Sequence, residues 1–216
     1  IPLTTKPADW LDLHLSWRSP EVRAEVVIES SVDGLVWSTI RTSTSLNAQS
    51  AVIAPLQIGT GQWRIVVRQT AGAPADLELF SGSVTLGTAA VPASSVATPG
   101  DAAGALTVGA VPWTGDRVAP YSSVGPTDDG RPKPDVVAPT YVVANRAWPG
   151  TAGTSAATAH VAGAAALLRQ QRRAQGLAYA PTDLRTTLVA TALDRGEPGV
   201  DDEHGALGKA GVQLVE

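Results

Sequence analysis

Gly153-Thr154-Ser155-Ala156-Ala157 opens an alanine-rich run that reads as one long helix from Ser155 to Arg173. A glycine turn that delivers a serine into the first turn of a helix sets its hydroxyl near the positive end of the helix dipole. The backbone N–H of that serine is one of the donors that a helix start leaves without a partner. Both features favour an oxyanion forming beside the hydroxyl, as acyl transfer requires. The ordinary use of Thr154 or Ser155 at such a place is different: a hydroxyl that caps the helix. These residues alone leave both readings open.

A serine nucleophile needs a base, and the base needs a carboxylate to orient it. The chain has three histidines. His14 lies in an alternating apolar-polar run and reads as a strand residue facing water. His160 follows Ser155 by five positions on the same helix, about 500° around at 100° per residue, so it points away from the hydroxyl. His204, near the end of the sequence, reads as exposed. Asp128, Asp129 and Asp135 belong to a block rich in Gly and Pro, where they are expected to make turns and an ion pair with Arg131 or Lys133. Asp201, Asp202 and Glu203 form a short acidic run. A solvated turn accounts for it better than calcium, whose loops supply more oxygen ligands than this.

The texture of the chain changes near residue 85. Before it, short β-prone runs alternate with turn residues. Leu11-Asp12-Leu13-His14-Leu15 has period two, which puts one face on a core. Asp33-Gly34 separates Glu25–Ser31 from Leu35–Ile40, a strong hairpin signal because glycine takes the positive φ of the turn. Further strands are read at 51–53, 63–67, 77–80 and 83–86. Six or seven such strands argue for an antiparallel sandwich or jelly roll, with Trp10, Trp17, Trp37 and Trp63 as its core. After Ala89 the texture is α/β. Ala105–Val111 is apolar enough for a strand buried on both faces, with shorter strands at 136–138 and 141–143. Gly176 is placed to end the long helix, and a second helix begins at Thr182 after Pro181.

Composition narrows the function classes. Across 216 residues, 16 basic and 20 acidic side chains give a net charge of −4, which argues against a general grip on nucleic acid or anionic lipid. No apolar run approaches the ~20 residues of a membrane-spanning helix. With no cysteine there is no disulfide framework and no thiolate metal site.

The stretch Gly153-Thr154-Ser155-Ala156-Ala157-Thr158-Ala159-His160-Val161-Ala162-Gly163 resembles the nucleophile segment of subtilisin-like serine proteases, G-T-S-x-A-x-P-H-V-A-G. Ser122-Ser123-Val124-Gly125-Pro126 and Asp129-Gly130-Arg131-Pro132-Lys133-Pro134-Asp135-Val136-Val137-Ala138-Pro139 resemble that family's S-S-x-G-P…D-G-R-x-K-P-D-x-x-A-P block. Leu106–Val111 is similar to its V-G-A-V strand, and His204–Ala210 is a looser match to its closing segment. The four blocks cover roughly residues 91–211. The resemblance implies an α/β fold, the C-terminal part of a doubly wound parallel sheet, over 89–216. Residues 1–88 would be an all-β antiparallel, jelly-roll-like sandwich inserted as an accessory domain. It implies Ser155 as the catalytic nucleophile, attacking a peptide or protein substrate. It also implies that Thr98, Pro99 and Gly100 form part of the wall of the primary specificity pocket, and that Gly153 and Thr154 lie close to the substrate backbone. His160 would be the structural histidine of the motif.

In this family an Asp, a His and an oxyanion-hole Asn precede the Ser along the chain, and none has a matching segment here. Asn145 comes too late in the order to serve. The expectation is therefore that these groups lie before Ile1, on the missing N-terminal half of the catalytic domain. The 216 residues alone would then be inactive. One position departs from the pattern: Ala159 stands where the family has Pro, which restores a helix donor and puts the placement of Ser155 in question. The resemblance implies no organic cofactor, and it implies secretion. Calcium is common in the family, but no ligand set is visible. Two rival readings remain: a catalytically silent relative that binds partners through its sandwich, and a sugar-binding module suggested by Ser31–Trp37, where a hairpin with a core Trp is the simpler account.

Overall fold

The computed structural model describes residues 1–3, 9–44, 49–82, 86, 90–115, 117–142, 151–194 and 209–212. The chain divides into two compact units, Ile1–Ala90 and Val91–Glu216.

The first unit contains β1 (Pro2–Leu3), β2 (Asp9–Ser16), β3 (Arg23–Ser31), β4 (Ser38–Thr44), β5 (Ser50–Ile58), β6 (Gln62–Ala71) and β7 (Glu78–Ser81). They form two antiparallel sheets, ordered β1-β6-β3-β4 and β5-β2-β7. The period-two runs explain the burial. Leu11, Leu13 and Leu15 of β2 and Ala24, Val26 and Ile28 of β3 join Ile53, Ile58 and Ile65 in one apolar cluster, while Asp12, His14 and Ser16 face outward, half-buried. On β3 and β6, Glu29 sits opposite Arg64 and Glu25 opposite Arg68. Their side chains pair at 2.6 and 3.1 Å. Between β3 and β4 the Asp33 carboxylate accepts the N–H groups of Val36 and Leu35 and the Ser31 hydroxyl, which holds it below the usual carboxylate range, and Gly34 takes φ 77°.

The tryptophan expectation needs correction. Trp17 is in the core, its indole N–H donating to Val22 O at 3.1 Å, and Trp63 packs against that core half-buried. Trp10 is 55% exposed, and Trp37 lies outside the cluster with the Arg64 guanidinium 4.1 Å from its ring centroid. An indole has enough polar and cationic partners to be stable at a surface.

The second unit contains β8 (Val108–Pro112), β9 (Val136–Thr140), α1 (Thr154–Ala174), α2 (Pro181–Thr191), β10 (Ala192–Asp194) and β11 (Lys209–Val212). β8 and β9 pair in parallel from Val108↔Val136 to Pro112↔Thr140. β11 adds a short parallel contact at Ala210↔Val137, and β10 pairs with β11 antiparallel. Val108, Ala110, Val136 and Ala138 meet Ala157 and Val161 of α1 and Leu188 of α2. On the opposite face Val111 and Val137 meet the partly buried Val118. The doubly wound parallel sheet expected from the sequence is therefore not present. Among the described residues the sheets are mostly antiparallel, parallel pairing is confined to one small sheet, and both helices pack on the same face of it. A doubly wound sheet needs helices on both faces. Among the described residues the first unit holds a four-stranded and a three-stranded sheet, both antiparallel. Of the strand expected at 141–143, Val142 makes an isolated bridge with Thr151, and Val143 lies outside the described residues.

The helix ends follow local rules. α1 ends with Gly176 at φ 69°, Gly176 N–H bonding to Arg173 O and Leu177 N–H to Arg172 O, the pair of bonds that closes a helix through a left-handed glycine. Pro181 begins α2, and the Asp183 carboxylate accepts the Ala180 N–H at 2.9 Å.

Beneath β9 lies a buried ionic cluster. Lys133 and Asp135 are each 1% exposed, with Nζ 2.6 Å from Oδ2. Lys133 also donates to Ala105 O and Thr107 Oγ1, and Asp135 accepts the Thr107 N–H and the Arg185 guanidinium of α2. Removing one member of a buried pair costs about 3–5 kcal/mol because the other is left charged out of water. Asp135→Ala strands Lys133, whereas Lys133→Met leaves Asp135 with Arg185 and the Thr107 N–H. Calorimetric unfolding should therefore rank Asp135→Ala as the more destabilising substitution; the reverse order contradicts this account of the cluster.

Candidate active site

Ser155 is the second residue of α1 and is exposed. The helix is capped by Gly153, at φ 103° and ψ 162°, with no side-chain cap. The capping role that the sequence left open for Thr154 and Ser155 is thus not filled by either hydroxyl. The Ser155 hydroxyl has no hydrogen-bond partner among the described residues. The first-turn amides of Ala156 and Ala157 donate back to Gly153 O, while those of Thr154 and Ser155 have no acceptor among the described residues. The arrangement offers an unengaged hydroxyl beside unengaged N–H donors at the positive end of a 21-residue helix.

The turn before Ser155 is held from below. Gly153 N–H donates to Thr140 Oγ1 at 3.0 Å and to the Tyr121 hydroxyl at 3.1 Å. Those two oxygens are 2.9 Å apart. Thr140 ends β9 and is fully buried, and Tyr121 sits edge-on to Tyr141 with centroids 6.1 Å apart. The Tyr121 hydroxyl beside it, and then burial, hold the Tyr141 phenol above its usual value. No motif singled out Tyr121 or Thr140 in the sequence. Their roles depend on oxygens brought together from positions 13 to 32 residues away from Gly153.

A cavity of about 220 Å³ opens beside the helix start, with Val96, Gly100, Thr107, Tyr121, Ser123 and Thr154 in its wall. Gly100 and Thr154 thus share one cavity, while Thr98 and Pro99 are not among its lining residues. Thr98 turns instead to Asp101, at 3.2 Å. Gly100 donates to Ala97 O at 2.8 Å, and a Cβ there would stand 3.1 Å from that oxygen, so the close turn leaves little room for a side chain.

Among the described residues no imidazole or carboxylate bonds to Ser155. His160 Nδ1 is 2.9 Å from Ala156 O, on the helix itself. His14 is half-buried on β2 of the first unit. Asn145, Asp201, Asp202, Glu203 and His204 lie outside the described residues. Ala159 is exposed, and α1 runs through it without a break. No cluster of three or more potential metal ligands occurs among the described residues, nor any helix long and apolar enough to cross a membrane. Asp129 belongs to a turn at Gly130: Arg131 Nε donates to both its oxygens at 3.0 and 2.8 Å, and Thr127 donates at 2.6 Å.

A sequence profile of the subtilase family matches residues 63–206. Pyrolysin of Pyrococcus furiosus is 42% identical over 86 residues, covering 37% of this chain and 6% of pyrolysin. The structure of the Clostridium perfringens CspB protease shares the fold with a TM-score of 0.62 at 18% identity, over 99% of this chain and 52% of the other. The chain spans about half the length of that solved relative and a small part of pyrolysin.

The Arg131 hydrogen bond, with that from Thr127, holds the Asp129 carboxyl down at about 2. A depressed carboxylate stabilises the fold above its unfolded pKa near 4 and loses that contribution as pH falls through its folded value. In a carbon-detected NMR titration Asp129 should stay ionised well below pH 4 with a midpoint about 2, and Arg131→Ala should return it toward the ordinary range. An unchanged midpoint in that variant contradicts the assigned cause.

Proposed function

The chain belongs to the subtilase family, and on that footing we propose that it carries the nucleophile half of a serine endopeptidase site, with Ser155 as the attacking residue. The observation that carries this reading is the state of the Ser155 hydroxyl: exposed at a helix start, bonded to nothing among the described residues, and excused from capping by Gly153. A base takes the Ser155 proton as Oγ bonds to the peptide carbonyl carbon. The carbonyl oxygen, now negative, receives the Ser155 N–H. The base then gives its proton to the leaving amine, the C–N bond breaks, and water repeats the sequence on the acyl-enzyme.

Among the described residues no imidazole or carboxylate touches Ser155. The base, its orienting Asp and the second oxyanion donor are assigned to polypeptide outside these 216 residues on the family's chain order, in which all three precede the serine and have no matching segment here. A second observation supports this assignment. Ala159, Ala162, Gly163, Ala166 and Leu167 leave a small-residue apolar stripe of α1 exposed, while only Ala156, Ala157 and Val161 of the helix are buried. That stripe is where the rest of the catalytic domain would pack. Gly153 and Thr154 then border the substrate backbone, and the cavity walled by Gly100 and Thr154 takes a substrate side chain. Thr98 and Pro99 support the Gly100 turn from outside the cavity. Residues 1–88 are assigned as an accessory domain. Secretion is the expectation that family membership carries.

Hydrolysis of denatured casein tests the reading. The protein expressed from its complete gene should cleave casein, and Ser155→Ala should lower the rate by about 10⁴-fold or more with an unchanged circular dichroism spectrum. The 216-residue chain by itself should show only background. Full activity in Ser155→Ala overturns the assignment. Absence of cleavage by the complete protein would instead make the chain a catalytically silent family member that acts by binding.

A further inference from the structure

We propose that Thr140 and Tyr121 are positioning residues that aim Ser155, by clamping the peptide two residues before it. The inference rests on Ser155 being the nucleophile and adds how its direction is set. Gly153 adopts φ 103°, a region that L side chains rarely take. Among the described residues a Cβ there would meet only Ser155 N, at 3.8 Å. Glycine is therefore required by the backbone conformation rather than by crowding, and such a conformation persists only when its surroundings hold it.

The hydrogen-bond ledger shows what holds it. Gly153 N–H has one proton, shared between Thr140 Oγ1 at 3.0 Å and the Tyr121 oxygen at 3.1 Å. The Tyr121 O–H can donate across the 2.9 Å gap to Thr140 Oγ1, and the Thr140 O–H points to Gly153 O at 3.4 Å. Every donor then has an acceptor, and both ends of the Gly153 residue are tied to one fully buried hydroxyl. Gly153 O also accepts the Ala156 and Ala157 amides that begin α1. One clamp therefore sets two directions together: where the Ser155 hydroxyl points, and where the Ser155 N–H points. A nucleophile and an oxyanion donor must both be placed within a fraction of an ångström, because a 1 Å error can cost roughly 100-fold.

The two residues are separable experimentally. Tyr121 also lines the cavity, whereas Thr140 does not, so Thr140 reports positioning without substrate contact. In the protein from the complete gene, kcat and KM for a peptide substrate, the rate of inactivation by a fluorophosphonate, and the melting temperature are to be measured for Thr140→Val, Thr140→Ser and Tyr121→Phe. Thr140→Val keeps the shape without the hydroxyl. It should lower kcat and the inactivation rate by about 10- to 100-fold with KM within about twofold. Thr140→Ser should restore most of the loss, and Tyr121→Phe should show a smaller fall. If Thr140→Val fails to fold, Tyr121→Phe, on a partly exposed ring, carries the test. Unchanged kcat in the folded variants overturns the clamp while leaving Ser155 as nucleophile. A loss that Thr140→Ser does not rescue also overturns it, since the hydroxyl would then not be what matters. A wild-type protein that neither hydrolyses nor reacts with the fluorophosphonate removes the nucleophile reading and the clamp with it.

Discussion

Lys133 and Asp135 place opposite charges 2.6 Å apart almost wholly out of water, and the second unit is arranged around keeping them satisfied. Such a pair is tolerated only when the remaining lone pairs and protons also find partners. Here those partners come from two directions: the 105–107 segment leading into β8, and Arg185 of α2. Meeting that demand fixes the register of β8 against β9. β9 ends at Thr140. The buried Thr140 hydroxyl receives the Gly153 amide, and Gly153 starts α1. The buried charge pair and the exposed serine are thus joined by one strand, β9, and the hydrogen bonds between Thr140 and Gly153 at its end.

The chemistry depends on what that line leaves unused. Helix starts normally spend a nearby hydroxyl on their open amides. α1 uses a glycine instead, and two hydroxyls from outside the helix hold the turn. The serine hydroxyl and its own amide stay available together, and Gly100 adds no side chain of its own to the adjoining cavity. The first unit solves a different problem. Its two antiparallel sheets bury a single leucine- and isoleucine-rich cluster, and cross-strand Glu–Arg pairs cover the outer side of β3 and β6.

What could be read from the chain was local. The period-two run at 11–15 marks its buried face because strand geometry alternates side chains, and Asp33-Gly34 marks a turn because the carboxylate binds the amides just after it. Gly176 and Pro181 mark helix ends for equally local reasons. Ser155 stood out through its neighbours in sequence. What escaped was set by distant partners. Trp37 is stabilised by Arg64, which no pattern around residue 37 announces. Arg185 answers Asp135 across 50 residues. Tyr121 and Thr140 hold Gly153 from separate loops and strands. The doubly wound sheet came from the resemblance rather than from the residues: apolar runs near 108 and 136 show that strands are buried, but not how many neighbours they have or whether helices cover both sides.

The most direct test of the central claim is to treat the protein from the complete gene with a fluorophosphonate and locate the adduct by peptide mass spectrometry. The account predicts a single phosphonylated residue, Ser155, in that protein, and no adduct on the 216-residue chain treated alone. An adduct on a different serine, or modification of Ser155 in the isolated chain with no base supplied, would contradict it.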